Sequence, residues 1–381
     1  MHLLISGPPR VGKTTLVKEL LKEFKNSSCG FITEELKKDR RRIGFLLKTT
    51  DKNEFIFAQK NMDSEYKLKD YGINIKEFEE KALKLLTKKD KRFIVIDEIG
   101  KMELFSQRFK KILEEILNSE KRIYGTIHRE NKGFLKEIKE RKDVLVLELK
   151  KENFKETLKF CREFLKAFTP AECKKLDRIC KEKFNISEEV LAESAGLSVS
   201  LEVLKIFENI KKDIFIIAGK GNNGADGLVA ARYLSMKVKN LKVFLIKEKD
   251  YSELNKKNQR ILKNIGINLE YLENESDFDK LKEGIYIDGI FGIGFKGKVE
   301  GFYKELIEKI NKVSIFTISI DTPSGLDSQT GFINKTCIRP DLIISFFGKK
   351  TGFLINQGKN LCKKIIVKEL AITTKELERF L

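Results

Sequence analysis

Short apolar segments alternate with amphipathic segments along the first part of the chain. Four apolar residues at 93–96 predict a buried strand, and apolar positions three and four apart at 14–24 predict a helix. Residues 31–48 have the pattern of a hairpin with a basic turn at its tip. Further strands are predicted at 2–6, 123–127 and 144–149, and further helices at 105–117 and about 152–168. This alternation predicts an α/β domain.

A second domain is predicted to begin at residue 169. Thr169 is a suitable N-cap, Pro170 fits the first helical turn, and Glu172 completes a capping box. A new helix therefore starts here, after the helix that ends near residue 168. We expect one domain over residues 1–168 and another over residues 169–381.

The second domain repeats the alternation of strands and helices. Helices are predicted at 228–236 and 303–309, among others. Strands are predicted at 214–218, 242–246, 285–288, 314–321, 342–347 and 364–367. This βαβ order predicts a mostly parallel sheet with helices on both faces, a Rossmann-like doubly wound α/β/α sandwich.

The composition is that of a globular protein with a highly charged surface. Of 381 residues, 41% are hydrophobic and 35% charged, and the net charge is +19. The lysines are scattered along the chain beside glutamates, as on solvated helix faces, which argues against nucleic acid as a partner. The sequence starts directly with a strand, and no apolar run is long enough for a membrane span. We therefore expect a cytoplasmic protein without a membrane partner.

A phosphate-binding loop follows the first predicted strand. Residues 7–14 fit the pattern GxxxxGK[ST] between a strand and a helix. Backbone amides and the helix N-terminus would bind the phosphates of a nucleoside triphosphate, Lys13 would neutralise phosphate oxygens, and Thr14 would ligate Mg²⁺. The expected nucleotide-binding residues are Gly7, Pro8, Pro9, Arg10, Val11, Gly12, Lys13, Thr14, Thr15 and Asp97.

Two acidic residues follow the buried strand at 93–96. Asp97 is the expected second contact to Mg²⁺, and Glu98 is the expected catalytic group that orients or deprotonates the attacking water. A simple capping role for Glu98 stays open. His128, at the end of another strand, is either structural or in contact with the nucleotide. Arg10 either reaches the phosphates or points to solvent, and the solvent-facing orientation is favoured.

These motifs resemble the thermophile nucleoside-triphosphatase family of small P-loop enzymes. The resemblance covers about residues 1–168 and is carried by the P-loop, CGFITEE at 29–35, DEIGKMEL at 97–104 and GTIH at 125–128. It implies hydrolysis of ATP, GTP and related nucleotides. A nucleoside or nucleotide kinase is the alternative, although no lid is evident in the sequence.

A second polar motif follows the strand at 214–218. GKGNNGADG, at 219–227, is predicted to be a loop that opens a helix, where a dinucleotide phosphate binds in doubly wound sheets. Asp288 and Asp321 end two later strands, and the carboxyl ends of parallel strands meet at one crevice. Two carboxylates and two asparagines there suit a cation and one acid/base group, while a helix-capping role for either Asp stays open.

The second domain strongly resembles the NAD(P)H-hydrate epimerases over about residues 170–372. The resemblance is carried by LAESAG at 191–196, GNNGADG, DGIFGIGFKG at 288–297, IDTPSGLD at 320–327 and PDLIISF at 340–346. Ala225 stands where the family usually has glycine. If that position needed a positive φ, the methyl group would strain the loop.

The resemblance implies an activity and a set of site residues. The substrates would be the hydrates of NADH and NADPH, interconverted between R and S forms, with Asp321 as the catalytic acid/base. K⁺ would be bound by Asn223, Asp288 and Ser324. The substrate-binding residues implied are Asn222, Asn223, Gly224, Ala225, Asp226, Gly292, Ile293, Gly294, Phe295, Lys296, Gly297, Lys298 and Asp321.

Together the motifs predict a bifunctional enzyme, a nucleoside triphosphatase joined to an epimerase. The alternative is a triphosphatase regulated by a catalytically silent module that senses nucleotides. No dehydratase is evident in the chain, so a separate NAD(P)H-hydrate dehydratase is expected in the same pathway. A homodimer is also among the expectations.

Overall fold

Strands and helices alternate along the whole chain, as the pattern of apolar positions predicts. The computed structural model describes residues 1–88, 90–207, 212–361 and 363–381. The chain divides into two compact units, Met1–Leu165 with Leu381, and Lys166–Phe380. The two-domain α/β architecture is confirmed, and the functional boundary at residue 168 stays a prediction.

The first unit is built on a mixed sheet. Its parallel part has the order β2-β7-β8-β1-β9, and the antiparallel strands β3, β4, β6 and β5 extend it at one side. The strands are β1 (His2–Ser6), β2 (Ser28–Lys38), β3 (Arg41–Thr49), β4 (Glu54–Lys60), β5 (Tyr66–Leu68), β6 (Tyr71–Ile73), β7 (Phe93–Ile99), β8 (Arg122–Ile127) and β9 (Val144–Glu148).

Helices pack their apolar faces against this sheet. Phe78 lies 5.5 Å, ring centre to ring centre, from both Phe31 and Phe109, and these three buried rings join a strand to two helical segments. The long helices are α1 (Lys13–Phe24), α2 (Gln107–Leu117), α3 (Gly133–Glu140) and α4 (Phe154–Lys166). Short helical segments lie at Lys25–Ser27, Ile75–Glu77, Phe78–Ala82, Leu83–Leu86 and Glu103–Phe105.

The second unit is built on a parallel sheet with the order β12-β11-β10-β13-β14-β15-β16. This order reverses direction between β10 and β13, so a crevice opens there at the carboxyl ends of the strands. The strands are β10 (Ile214–Ala218), β11 (Leu241–Ile246), β12 (Leu269–Leu272), β13 (Gly284–Gly289), β14 (Ser314–Ile320), β15 (Leu342–Phe346) and β16 (Ile365–Lys368). The predicted doubly wound fold is confirmed.

The helices of the second unit begin with the predicted capping box. Thr169 accepts a hydrogen bond from the Glu172 amide, and the Glu172 carboxylate accepts one from the Thr169 amide. The long helices are α5 (Pro170–Phe184), α6 (Glu188–Ile206), α7 (Asn222–Ser235), α8 (Glu253–Asn264) and α9 (Gly301–Val313). Short segments lie at Glu275–Lys280, Thr351–Phe353, Gly358–Leu361, Thr374–Leu377 and Glu378–Phe380. None of the helices in the described ranges has the length and apolar character that a membrane crossing requires.

The structure differs from the sequence-based expectation in several elements. Strands β4, β5, β6 and β12 and helices α3 and α8 were not predicted individually, because these segments are short or rich in charged residues. Helix α7 begins at Asn222 rather than at residue 228, so most of the predicted glycine-asparagine loop is helical.

Gly196 lies at a close approach between α6 and α7. A Cβ at this position would lie 2.5 Å from Cβ of Val229 and 2.8 Å from the backbone nitrogen of Ala230. Ordinary helix propensity predicts that Gly196→Ala stabilises the protein by about 1 kcal/mol. We expect Gly196→Ala instead to lower the free energy of unfolding by about 1 to 3 kcal/mol, because the added methyl group overpacks the contact between the two helices.

The free energy of unfolding from urea denaturation tests this expectation. Gly221→Ala is the control for stability, because a Cβ there meets no atom within 4 Å. A Gly196→Ala variant as stable as the wild type would show that the two helices separate without cost.

Candidate active sites

The predicted phosphate-binding loop lies between β1 and α1. Gly12 ends the loop with a φ of 104°, a conformation that glycine adopts without strain. A Cβ on Gly7 would come within 2.6 Å of the Leu149 carbonyl oxygen at the end of β9. These two positions explain why the loop needs glycine at its start and before its lysine.

Lys13 folds back over this loop. Its Nζ donates hydrogen bonds to the carbonyl oxygens of Gly7, at 3.1 Å, and Pro8, at 3.3 Å. The ammonium group thus faces the concave side of the loop, where a bound phosphate would exchange for these carbonyls. Arg10, with a φ of 64°, and Thr15 are exposed at the rim.

Asp97 lies inside β7, which continues past the predicted end to Ile99. Its side chain is 2% exposed, and Oδ1 accepts a hydrogen bond of 2.5 Å from the Thr126 hydroxyl. Oδ2 is buried and has no hydrogen-bond partner among the described residues. A buried carboxylate oxygen without a donor, beside the loop that carries Thr14, is a suitable ligand for Mg²⁺. Burial raises the pKa of Asp97, and the Thr126 hydroxyl opposes this.

Two glutamates continue the acidic cluster. Burial raises the pKa of Glu98 to about 7, with Lys13 opposing the shift and Asp97 adding to it. Burial, together with the charge of Glu98, raises the pKa of Glu103 to about 8. A Cβ on Gly100 would lie 2.8 Å from Oε2 of Glu103 and 3.6 Å from Cδ of Glu98, so the two carboxyl groups are neighbours. Glu103 lies in the DEIGKMEL stretch, but no separate role was predicted for it.

The loop and the acidic cluster share a cavity of about 770 Å³. His128 also faces it, half-buried, and its Nδ1 accepts a hydrogen bond of 3.2 Å from the Glu130 amide. The cavity is lined by Gly7, Lys13, Thr14, Asp97, Glu98 and Glu103, among others. The structure thus brings the sequence-predicted phosphate, metal and water-activating residues into one site.

The second site begins where α7 leaves the end of β10. A Cβ on Gly219 would lie 2.0 Å from the Ile290 carbonyl oxygen, and one on Gly224 would lie 2.0 Å from the Gly219 carbonyl oxygen. The glycines therefore let the first turns of α7 pack directly onto the neighbouring backbone. Asn255 secures this contact, because its Nδ2 donates to the Gly219 oxygen at 2.8 Å.

Ala225 occupies a helical position in α7, without a positive φ. Its methyl group is fully buried in a cluster with Ala192, Val229 and Leu254. Ala225 therefore does not have the positive φ at which its methyl group would strain the backbone. The methyl group instead fills space in the core.

Three predicted cation ligands meet around the backbone of Phe291. The Ser324 hydroxyl donates to Oδ1 of Asp288 at 2.5 Å and accepts from the Phe291 amide at 2.8 Å. Nδ2 of Asn223 donates to the Phe291 carbonyl oxygen at 2.8 Å. Asp288 is 1% exposed, and burial raises its pKa while the Ser324 hydrogen bonds oppose the shift. A carboxylate, an amide, a hydroxyl and a carbonyl oxygen thus lie together, a donor set that suits a hard cation.

Asp321 follows β14 with a φ of 58°. Its Oδ1 accepts hydrogen bonds from Nζ of Lys350 at 2.6 Å and from the Phe346 amide at 3.0 Å. Lys350 is 1% exposed, and the charge of Asp321 raises its pKa although burial of the ammonium opposes this. Lys350 was not predicted from the sequence; its only signal is a position shortly after β15, within a chain full of lysines.

A cleft of about 630 Å³ is lined by Asn223, Asp321 and Lys350, whereas Asp288 and Ser324 are not among its lining residues. The predicted substrate-binding residues that line it are Asn222, Asn223, Asp226, Gly292, Ile293, Gly294, Phe295 and Asp321. The lining residues do not include five other predicted positions, Gly224, Ala225, Lys296, Gly297 and Lys298. Cys173 and Asp177 of α5 also face the cleft and were not predicted.

The two sites define a P-loop nucleotide-binding domain followed by a Rossmann-like domain with a ligand cleft. A family model described as "NTPase" matches residues 2–161, and one described as "YjeF-related protein N-terminus" matches residues 188–352. The chain belongs to the nucleoside-triphosphatase THEP1 family in its first part and to the NAD(P)H-hydrate epimerase family in its second.

Individual relatives support each half. "Nucleoside-triphosphatase THEP1" of Thermotoga sp. is 43% identical over 155 residues, which cover 40% of this chain and 88% of that protein. "NAD(P)H-hydrate epimerase" of Elusimicrobium minutum is 32% identical over 223 residues, which cover 56% of this chain and all of that protein. "Bifunctional NAD(P)H-hydrate repair enzyme Nnr" of Thermofilum pendens is 32% identical over 219 residues, but this chain spans only 42% of its length.

The packing of Ala225 predicts the result of restoring glycine. Ala225→Gly removes a buried methyl group and places glycine inside a helix, so we expect a loss of about 1 to 2 kcal/mol in the free energy of unfolding. Urea denaturation measures this loss, and Ala225→Ser, which keeps the Cβ, is the matched control. A glycine variant more stable than the wild type would contradict the packing argument.

Proposed function

We propose that the chain is a bifunctional enzyme that hydrolyses nucleoside triphosphates in its first domain and epimerises NAD(P)H hydrates in its second. The first activity is supported by the joint placement of Lys13, Asp97 and Glu98 in one cavity. The second is supported by Asp321, held by Lys350, in the cleft that Asn223 also lines. Membership of both families agrees with this pair of activities.

In the first site the protein supplies binding and water activation. Lys13 and the amides of the loop would bind the β- and γ-phosphates, and Thr14 and Asp97 would hold Mg²⁺. Bound Mg²⁺ supplies positive charge that offsets charge developing on the phosphates. Glu98, with a pKa of about 7, is suited to accept a proton from the attacking water. Phosphate and the nucleoside diphosphate are the products.

A phosphate-release assay on the full chain tests the first activity. We expect Lys13→Ala to reduce the rate by about 100-fold or more, because the ammonium stabilises charge that develops at the phosphates. Lys155→Ala, an exposed position in α4, is the matched control and should match the wild type. Equal rates for Lys13→Ala and the wild type would refute the proposal for this site.

In the second site the ring nitrogen of the hydrate assists loss of the neighbouring hydroxyl, and water then adds to either face of the planar cation. Asp321 would act as the acid/base in these proton transfers. Asn223, Asp288 and Ser324 would hold K⁺, which supplies a fixed positive charge beside the cleft. The S hydrate would pass to an NAD(P)H-hydrate dehydratase.

To test the second activity, pure R-hydrate of NADH is supplied to the full chain, and formation of the S hydrate is measured over time. Wild type should form the S hydrate faster than buffer alone, and Asp321→Asn should be slower than wild type by about 100-fold or more. Asp279→Asn, an exposed aspartate of the same domain, controls for loss of a carboxylate. If wild type does not exceed buffer, the domain is not an epimerase.

A further inference from the structure

The cleft of the second domain contains more carboxylates than a single acid/base requires. Asp321 enters it from the end of β14, Asp226 from the second turn of α7 and Asp177 from α5. The proposed epimerisation so far uses only Asp321 for proton transfer. The surroundings of the other two decide whether they take part in the chemistry.

Asp321 is paired with a buried cation. The ammonium of Lys350 lies 2.6 Å from its Oδ1, and the Phe346 amide donates to the same oxygen at 3.0 Å. Lys350 is itself held in place, because it also donates to the Ser345 hydroxyl at 3.0 Å and the Phe346 carbonyl at 2.8 Å. This buried lysine is therefore a positioning residue that fixes the Asp321 carboxyl group.

Asp226 has the opposite surroundings. Its side chain lines the same cleft, yet within the described ranges it accepts no hydrogen bond and pairs with no cation. Burial raises its pKa well above the ordinary value, and the negative charges of Asp321 and Asp177 add to the shift. Two carboxyl groups of one cleft thus have contrasting surroundings, one paired with a buried ammonium group and the other near two further carboxyl groups, as an acid and a base require.

We propose that Asp226 is a second catalytic residue, which donates the proton to the departing hydroxyl while Asp321 accepts the proton of the water that adds. This inference rests on the proposed epimerase function and assigns its proton transfers. Asp226 and Asp321 enter the cleft from different elements, α7 and β14, so they can serve different water molecules.

The proton balance of the step closes without any oxidant or reductant. The carbon–oxygen bond of the hydrate breaks, its electron pair stays on oxygen, and the Asp226 proton completes a water molecule. The lone pair of the ring nitrogen forms a carbon–nitrogen double bond. A second water then bonds to the same carbon, the double-bond pair returns to nitrogen, and the released proton goes to Asp321. The resulting enzyme form, with Asp321 protonated and Asp226 ionised, catalyses the reverse direction. Proton exchange of both carboxyl groups with solvent water restores the starting form for another forward turnover.

Epimerase kinetics of the full chain test this assignment. We expect Asp226→Asn to lower kcat by about 100-fold or more with a small change in KM, because general acid catalysis contributes factors of this size. Asp279→Asn should keep the wild-type rate. Circular dichroism and the urea denaturation midpoint establish that the variants fold.

The pH profile separates a catalytic role from a structural one. An acid works only while protonated, so the wild-type rate should fall as pH rises through the pKa of Asp226, which burial, Asp321 and Asp177 raise. The residual rate of Asp226→Asn should lack this alkaline decline. Asp226→Glu should retain activity, and its rate should fall with rising pH over a different pH range from that of the wild type.

The outcomes are distinct. If Asp226→Asn keeps a rate within about threefold of wild type, or changes KM alone, Asp226 is not the acid, because general acid catalysis contributes far more than this. If Asp226→Asn fails to fold, the pH profile of Asp226→Glu provides the test. A rate that falls over a different pH range from that of the wild type supports the assignment, and a profile that superimposes on that of the wild type overturns it. If wild type itself shows no epimerisation, both the proposed function and this inference fail; activity in wild type with an active Asp226→Asn removes the inference alone.

Discussion

Parallel pairing of strands is the constraint on which both sites depend. Because neighbouring parallel strands run in one direction, their carboxyl ends lie at one edge of the sheet, and polar residues that follow each strand meet there. In the first domain this brings the loop after β1 to Asp97 in β7. In the second it brings Asp288 and Asp321, from adjacent strands, to the first turns of α7 after β10.

Much of this arrangement could be predicted, because the signals are local. A strand followed by GxxxxGK[ST], or by Asp at a strand end, shows its place in the fold within a few residues. The start of α7 could not be predicted, because Asn and Gly are poor helix formers and the helical conformation of Asn222 to Gly227 depends on contacts with the distant backbone of Ile290 and with Asn255. Tertiary packing overrides the intrinsic preference here.

Lys350 was missed for a different reason. A lysine in a protein with 76 basic residues carries no signal of its own, and its ion pair with Asp321 joins residues 29 positions apart. Its burial depends on the backbone pairing of Phe168 with Lys350 and on the turn after β15. The proximity of the carboxyl groups of Asp177, Asp226 and Asp321 likewise could not be predicted, because only the folded arrangement of strands and helices brings them together.

The two lysines at the centres of these sites show how burial sets function. Lys13 is half-buried and donates to backbone carbonyls of its own loop, so a phosphate can replace these partners at little cost. Lys350 is fully buried and bonded to a carboxylate, a hydroxyl and a carbonyl, so breaking its ion pair would leave an uncompensated charge in the interior. The first lysine is therefore available to bind substrate, whereas the second is committed to holding Asp321, and substrate chemistry in that cleft falls to the carboxylates.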